Sequence, residues 1–136
     1  MLVRLFYVST AAGPQTATVS ESIIVSSRGN NQNQNISGIL CQGRGIYLQV
    51  LEGTRDKVND LYNQILRDPR HSRVELLSYE YITKRQFPDW SMALVDLNSQ
   101  EVSVALQNSD FDPYATDGDT MTKILADLLA SKISVK

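Results

Sequence analysis

Tyr7, Asn30, Asn31 and Gln49 bring a phenol and three primary carboxamides to positions that the surrounding pattern allows to converge. A carboxamide donates through its NH2 group and accepts through its oxygen, so it matches any heteroaromatic edge on which carbonyl oxygens alternate with ring N–H groups. Flavins and pyrimidines present such an edge. A plainer reading is open at this stage: Asn30 and Asn31 end a helix, and Gln49 is a hydrogen-bonded core amide. Trp90 and Met92 have ordinary packing roles open to them in the same way.

Other chemistries are poorly supplied. The chain has one histidine and one cysteine, and no GxSxG, HExxH or CxxC pattern supports a triad or a metal centre. His71, close to Asp68 and Arg70, is a candidate ligand or base, but a lone histidine after a helix is ordinarily a surface residue. Cys41 on a strand reads as core filler. The glycines form neither GxGxxG nor a Walker loop, so a cofactor would have to bind without a phosphate-cradling loop.

The 136 residues and 15.2 kDa fall within the range of one domain, and a chain of that size holds together without metal or disulfides. With 13 Lys+Arg against 15 Asp+Glu and a pI near 5.3, it lacks the basic excess that nucleic-acid binding needs. No apolar run approaches the ~20 residues of a membrane helix, and Leu2, Val3 and Arg4 do not open a leader. Neither nucleic acid nor membrane is an expected partner, and the expected location is cytoplasmic.

The elements that must position these side chains emerge from periodicity. Leu2 to Ser9 is a short apolar run that predicts a buried strand, with Val3, Leu5, Tyr7 and Ser9 on one face and Arg4, Phe6 and Val8 on the other. After Gly13-Pro14, Thr18 and Glu21 have capping-box spacing ahead of Val19, Ile23 and Ile24, which predicts a helix to about Gly29. Asn30 to Asn35 is a polar connection. Ile36 to Gln42 and Ile46 to Glu52 predict two antiparallel strands joined at Gly43-Arg44-Gly45. In the second strand Tyr47, Gln49 and Leu51 share a face. Thr54 is placed to cap a helix in which Val58, Leu61, Tyr62, Ile65 and Leu66 form an apolar stripe ending at Asp68-Pro69. Val74 to Ile82 and Ser91 to Leu97 predict two further strands. The order βαββαββ predicts an α+β fold, an antiparallel sheet carrying two helices on one face. Beyond it, Ser99 to Asn108 suggests a short helix. Met121, Ile124, Leu125, Leu128 and Leu129, after Asp119, make a stripe that must cover the open sheet face or another subunit.

Five segments together carry a family resemblance over residues 2–97: RLFYVS, SSRGNNQNQNISGIL, YLQVLEG, ILRDPRH and FPDWSMALV. The chain resembles the BLUF family, sensors of blue light using FAD, in its short stand-alone form. The resemblance implies a ferredoxin-like fold, with a photosensor domain over residues 1–97, a helical extension over 98–136, and FAD held noncovalently between the two helices. It implies that Tyr7 gives an electron and a proton to the photoexcited flavin. Gln49 is then the switch glutamine whose rearranged hydrogen bonds shift flavin absorption to the red. Asn31, with Asn30 beside it, matches the residue bonding the flavin edge, and Ile23 and Ile65 match the aliphatic pair that sandwiches the ring. Ser27, Asp68, Arg70 and His71 match positions along the flavin or its tail, and Trp90 and Met92 the signalling pair on the last strand. At Gln64 many members carry an arginine, for which Arg67 or Arg70 is the available substitute here. FMN and riboflavin are therefore alternatives to FAD. No cyclase or phosphodiesterase segment follows residue 97, so the expectation is a non-enzymatic receptor, a homo-oligomer that binds a partner protein in a light-dependent way. Two rival readings fit the fold: a light-insensitive scaffold domain, and an acylphosphatase-like hydrolase using Arg28 and Asn31.

Overall fold

The computed structural model describes residues 1–16, 23, 27, 29, 33–88, 91–107, 111–115 and 117–130. Five strands form one sheet in the order β4-β1-β3-β2-β5: β1 Leu2–Ala11, β2 Ser37–Gly43, β3 Ile46–Thr54, β4 His71–Ile82 and β5 Ala93–Asp96. Three helices are fully bounded: α1 Arg55–Leu66, α2 Gln100–Gln107 and α3 Gly118–Ala130. Between β1 and β2, residues Ile23, Ser27, Gly29, Asn33 and Gln34 are helical. Thr18, Val19, Glu21, Ile24, Asn30 and Asn31 of the predicted helix and its connection lie outside the described residues.

β1 and β3 are buried on both faces because the sheet is covered on both sides, which is why their sequences are apolar nearly throughout. Val3, Leu5 and Tyr7 of β1 and Tyr47 and Leu51 of β3 face Val58 and the α1 stripe of Leu61, Tyr62 and Ile65. Phe6 and Val8, with Leu48 and Val50, face the other way onto Val102, Leu106, Met121, Leu125 and Leu128 of α2 and α3. The apolar stripe of the C-terminal segment thus covers its own sheet, and of the two roles the pattern allowed it is this one that is realised. Cys41 is fully buried in the same cluster, and burial pushes its thiol up to about 12, consistent with a packing role.

The sheet is mixed, not antiparallel as the sequence pattern suggested: β5 runs parallel to β2, with Ile39 opposite Ala93 and Cys41 opposite Val95. β4 lies at one edge and β5 at the other, so the chain crosses the sheet between them, a connection that alternation within strands does not reveal. Boundaries also differ. β1 runs two residues further than Ser9, β4 begins at His71 rather than Val74, and β5 is confined to Ala93–Asp96. The β2–β3 hairpin turns on Arg44 (φ 55°) and Gly45 (φ 77°), the two positive φ values of the turn type whose twist suits antiparallel strands. Gly38 is required where the two strands approach, since a Cβ there would stand 1.9 Å from the Val50 carbonyl oxygen.

Caps depart from the sequence pattern in two places. Thr54 occupies the N-cap of α1 but makes no side-chain bond to the helix backbone; its hydroxyl instead bonds Asp56 and holds that carboxyl below its ordinary value. α3 is capped by Asp117, whose Oδ1 accepts the Thr120 N–H at 2.8 Å, so it starts ahead of Asp119. α2 is capped by Ser99, whose hydroxyl oxygen accepts the Val102 N–H at 3.1 Å. Because the α3 stripe completes one face of the core, Leu125→Ala should lower the unfolding free energy by about 2–5 kcal/mol. Urea denaturation followed by circular dichroism should show that loss in a single transition.

Candidate functional site

Tyr7 and Gln49 are Cα partners in the β1–β3 ladder, so their side chains stand side by side on the face that meets α1. Leu40 of β2 is the next residue in the same row, and Leu94 of β5 follows it. Tyr7 is 3% exposed and Gln49 5%. The Tyr7 hydroxyl donates to Gln49 Oε1, which orients the carboxamide: its Nε2 points away and donates to Met92 Sδ at 3.5 Å. The result is a directed chain of phenol, carboxamide and thioether. Burial first, and the Asp68 carboxylate second, push the Tyr7 phenol well above its ordinary value, against a smaller opposing pull from Arg70.

Above this row lies a cleft of about 230 Å³. Its floor is Tyr7, Leu40, Tyr47 and Gln49; Ile23 and Ser27 stand on one side, and Leu61, Gln64 and Ile65 of α1 on the other. Asp68, Arg70 and His71 complete the lining where α1 gives way to β4. Drug-sized ligands typically occupy about 300–1,000 Å³, so the enclosed space suits a fused-ring head group whose remaining parts extend along the opening. Aliphatic side chains on the walls and a donor–acceptor pair on the floor fit a planar heteroaromatic ring: its faces need apolar contact and its edge needs partners.

The charged lining is internally matched. Arg70 Nε contacts both Asp68 carboxylate oxygens at 3.0 Å, and its terminal nitrogen reaches Asp68 Oδ2 at 2.6 Å. Those bonds hold the Asp68 carboxyl below its ordinary range. His71 is not the surface residue that its position after a helix suggested. Its Nε2 lies 2.7 Å from the Ile65 carbonyl oxygen and its Nδ1 2.7 Å from the Ser9 hydroxyl. A carbonyl only accepts, so Nε2 carries a proton, and in the neutral ring Nδ1 accepts from Ser9. The ring stands edge-on to Tyr7, with centroids 6.1 Å apart. It ties the end of α1, and so Ile65, to β1.

Of the residues singled out in the sequence, the structure brings Tyr7, Ile23, Ser27, Gln49, Ile65, Asp68, Arg70 and His71 to one cleft, and Met92 beneath it against Gln49. Asn30, Asn31 and Trp90 lie outside the described residues, as does Arg28 of the hydrolase reading. Gln64 lines the cleft, and of its two suggested substitutes Arg70 does so while Arg67 does not. Sequence reasoning passed over Tyr47, Leu40 and Ser9. Tyr47 and Ser9 share a face with Gln49 and Tyr7 at a spacing of two, a signal that was present; Leu40 needed the hairpin register.

An α+β sheet with a phenol–carboxamide pair at the base of an aliphatic-walled cleft defines a receptor for a planar heteroaromatic ring. Residues 2–93 match the sequence profile of a family described as BLUF, sensors of blue-light using FAD. Photoactivated adenylate cyclase subunit beta of Euglena gracilis is 33% identical over 92 residues, covering 67% of this chain and 11% of that protein. The blue light- and temperature-regulated antirepressor BluF of Escherichia coli (strain K12) is 30% identical over 107 residues, 79% of this chain and 27% of that protein. The chain therefore spans about a tenth to a quarter of the length of these relatives. Among solved structures, the photo-activated state of BlsA superposes with a TM-score of 0.82 at 26% identity, covering 95% of each chain. The dark state of the BLUF protein BlrB gives 0.75 at 29% identity, over 93% of this chain and 96% of that one. The chain belongs to the BLUF family of blue-light sensors, whose cofactor is FAD, and its ferredoxin-like α+β fold is that of the family's solved members.

The raised Tyr7 phenol has a stability consequence. An unfolded chain loses this proton near pH 10, whereas the folded chain keeps it, so above that pH the folded state binds more protons and stability falls as pH rises. Apoprotein unfolding free energies should drop more steeply between about pH 9 and 11 than those of Tyr7→Phe, by up to about 1.4 kcal/mol per pH unit. Urea titrations across that range check it; equal slopes would contradict the placement of the phenol.

Proposed function

We propose that this chain senses blue light by moving an electron and a proton off Tyr7 and leaving Gln49 in a different orientation, and that the observation carrying this reading is the directed bond chain from Tyr7 through Gln49 to Met92. Bound in the cleft and excited by blue light, FAD supplies a strong one-electron oxidant. Tyr7 is held as a neutral phenol by its burial, so the electron and the proton leave together, the proton along the existing bond to Gln49 Oε1. A carboxamide protonated on oxygen would be relieved by releasing an Nε2 proton, for which the reduced flavin and not the Met92 thioether would be the acceptor, and the two ends of the group would thereby exchange character. On the return step Tyr7 regains one electron and one proton, so nothing is consumed. What persists is the turned or tautomerised Gln49 side chain. Where the side chain turns, the donor toward Met92 is replaced by an oxygen, which a thioether sulfur does not satisfy, so the contact with Met92 is given up. Gln49 is a two-state element whose other orientation changes its contacts with Tyr7 and Met92 at once.

Ile23 and Ile65 hold the ring faces, and the Ser9–His71–Ile65 bonds keep the second wall in place. Asn30 and Asn31 take the flavin edge by family resemblance. Ser27, Asp68 and Arg70 serve the ribityl and phosphate portion. Because Gln64 carries no charge and Arg70 is already paired with Asp68, FMN and riboflavin are accepted as well as FAD. The sensor unit comprises residues 1–97, with 98–136 as the output segment. Trp90 and Met92 carry the signal, and the output is altered binding of a partner protein by a homo-oligomer. A signalling role, not catalysis, is favoured because the cleft offers a phenol, a carboxamide and an internally matched ion pair.

Tyr7→Phe should retain flavin, since the cleft walls are untouched, and should lose the reversible red shift under blue light. Absorption spectra of the purified holoprotein in darkness, under illumination and during recovery check this. A normal red-shifted product in Tyr7→Phe would sink the mechanism, and a protein that does not take up flavin on reconstitution would favour the scaffold reading.

A further inference from the structure

Glu52 is fully buried on β3, three residues beyond Gln49 and so on the opposite face of the sheet. Both of its oxygens are engaged: Oε1 accepts the Phe87 N–H at 2.7 Å, and Oε2 accepts the Gln86 N–H at 3.0 Å and Arg4 Nε at 2.8 Å. Arg4 is Glu52's cross-strand partner and also reaches Glu80 of β4 at 3.2 Å. Arg85 ties down the same stretch, donating to Ser37 Oγ at 2.9 Å and to the carbonyl oxygens of Asn35 at 2.6 Å and Glu52 at 3.3 Å. A leucine at this position would fill space without desolvating a charge. What the carboxylate adds is a pair of directed acceptors for the backbone of a connection that has no strand partner there.

That connection changes faces. Phe87 is buried in the cluster that contains Met121, Leu125 and Leu128, whereas Met92, five residues later, is buried in the cluster of Tyr7 and Leu94 and receives the Gln49 N–H. One short segment therefore has its end in the photochemical row and its start among the C-terminal helices, and Glu52 grips the start. We propose that Glu52 is a positioning residue for signal output: by fixing the Gln86 and Phe87 amides it forces a displacement of Met92 to be felt on the face covered by α2 and α3, where an untethered loop would absorb it. The proposal rests on Gln49 acting as the light-driven switch. Glu52 touches neither cofactor nor reacting atoms, and it acts by holding the start of the connection that leads to Met92, a tether that is in place before Gln49 turns.

The three methionines, Met1, Met92 and Met121, place one methyl reporter on each face and one at the terminus. In holoprotein labelled with 13C-methyl methionine, blue light should shift the Met92 and Met121 resonances of the natural sequence. In Glu52→Gln, which keeps the volume but has one oxygen in place of two, the red shift and the Met92 response should remain while the Met121 response is lost. The Met92 resonance in the dark should already differ from that of the natural sequence. Phe87→Leu, which leaves the carboxylate and both amides intact, should also remove the Met121 response, and it serves where Glu52→Gln does not fold. A Met121 response equal to that of the natural sequence in either folded, flavin-loaded variant would overturn the proposal. So would an unchanged dark Met92 resonance in Glu52→Gln, a result that does not depend on light. Absence of any red shift in the natural sequence would instead overturn the switching role of Tyr7 and Gln49.

Discussion

Tyr7 opposes Gln49 across the β1–β3 ladder, and with a side-chain period of two a slip of one residue in that pairing would turn one of them to the opposite face from the other. Holding the register requires that both strands be specified on both sides. Val3, Leu5 and Tyr7 are sealed by α1, and Phe6 and Val8 by α2 and α3, so a slipped register would bury Arg4 or Glu52 on the cleft side without its partners. The cross-strand pair of Arg4 and Glu52 therefore reinforces the same alignment from the opposite face. A buried ion pair contributes little net stability when compared with apolar residues; as a register mark it discriminates strongly, because the misaligned state leaves charge unpaired.

The cleft inherits its shape from this frame. A long α1 stripe provides Val58 for the core and Leu61 and Ile65 for the wall, and the helix ends where Asp68-Pro69 forces the chain out, delivering His71 to the start of β4. The two ring nitrogens of His71 then close the loop between helix and strand. In the proposed mechanism, packed walls and a hydrogen-bonded floor confine the change to Gln49, which is the condition for a switch and not a compliant pocket.

Much of this was legible in the residues themselves. Alternation placed Tyr7 with Val3 and Leu5, and Gln49 with Tyr47 and Leu51, correctly on one face, and the 3.6-residue stripe of α1 put Ile65 inward. The two antiparallel strands around Gly43-Arg44-Gly45 were encoded in turn chemistry. What was hidden depends on partners far apart in sequence. The parallel pairing of β5 with β2 requires a connection that crosses the sheet, and no local pattern encodes it. Glu52 reads as an ordinary end-of-strand acid until Arg4 and the Gln86 and Phe87 amides are brought to it. His71 looks like a surface residue because the groups that engage it, Ser9 and the Ile65 carbonyl, are recognised by position and not by type. The convergence of site residues gained its specificity from family resemblance; the carboxamides alone favoured the plainer reading of a helix end and a core amide.

The covering of the second sheet face by the last helices also sets an order of events during synthesis. β1 is made before its partners in the sheet, β3 and β4, and Phe6 and Val8 share their cluster with Phe87 and with Val102, Leu106, Met121, Leu125 and Leu128 of the last helices. Until those residues leave the ribosome, a sheet already able to form would present a broad apolar surface to the cell, and partly folded chains with such surfaces associate with one another or with chaperones. Non-local strand pairing is slow to establish, which lengthens the interval. If the sheet forms before the last helices emerge, the ring-binding side would be assembled while the other side is bare, and ligand captured then would stabilise that intermediate by mass action.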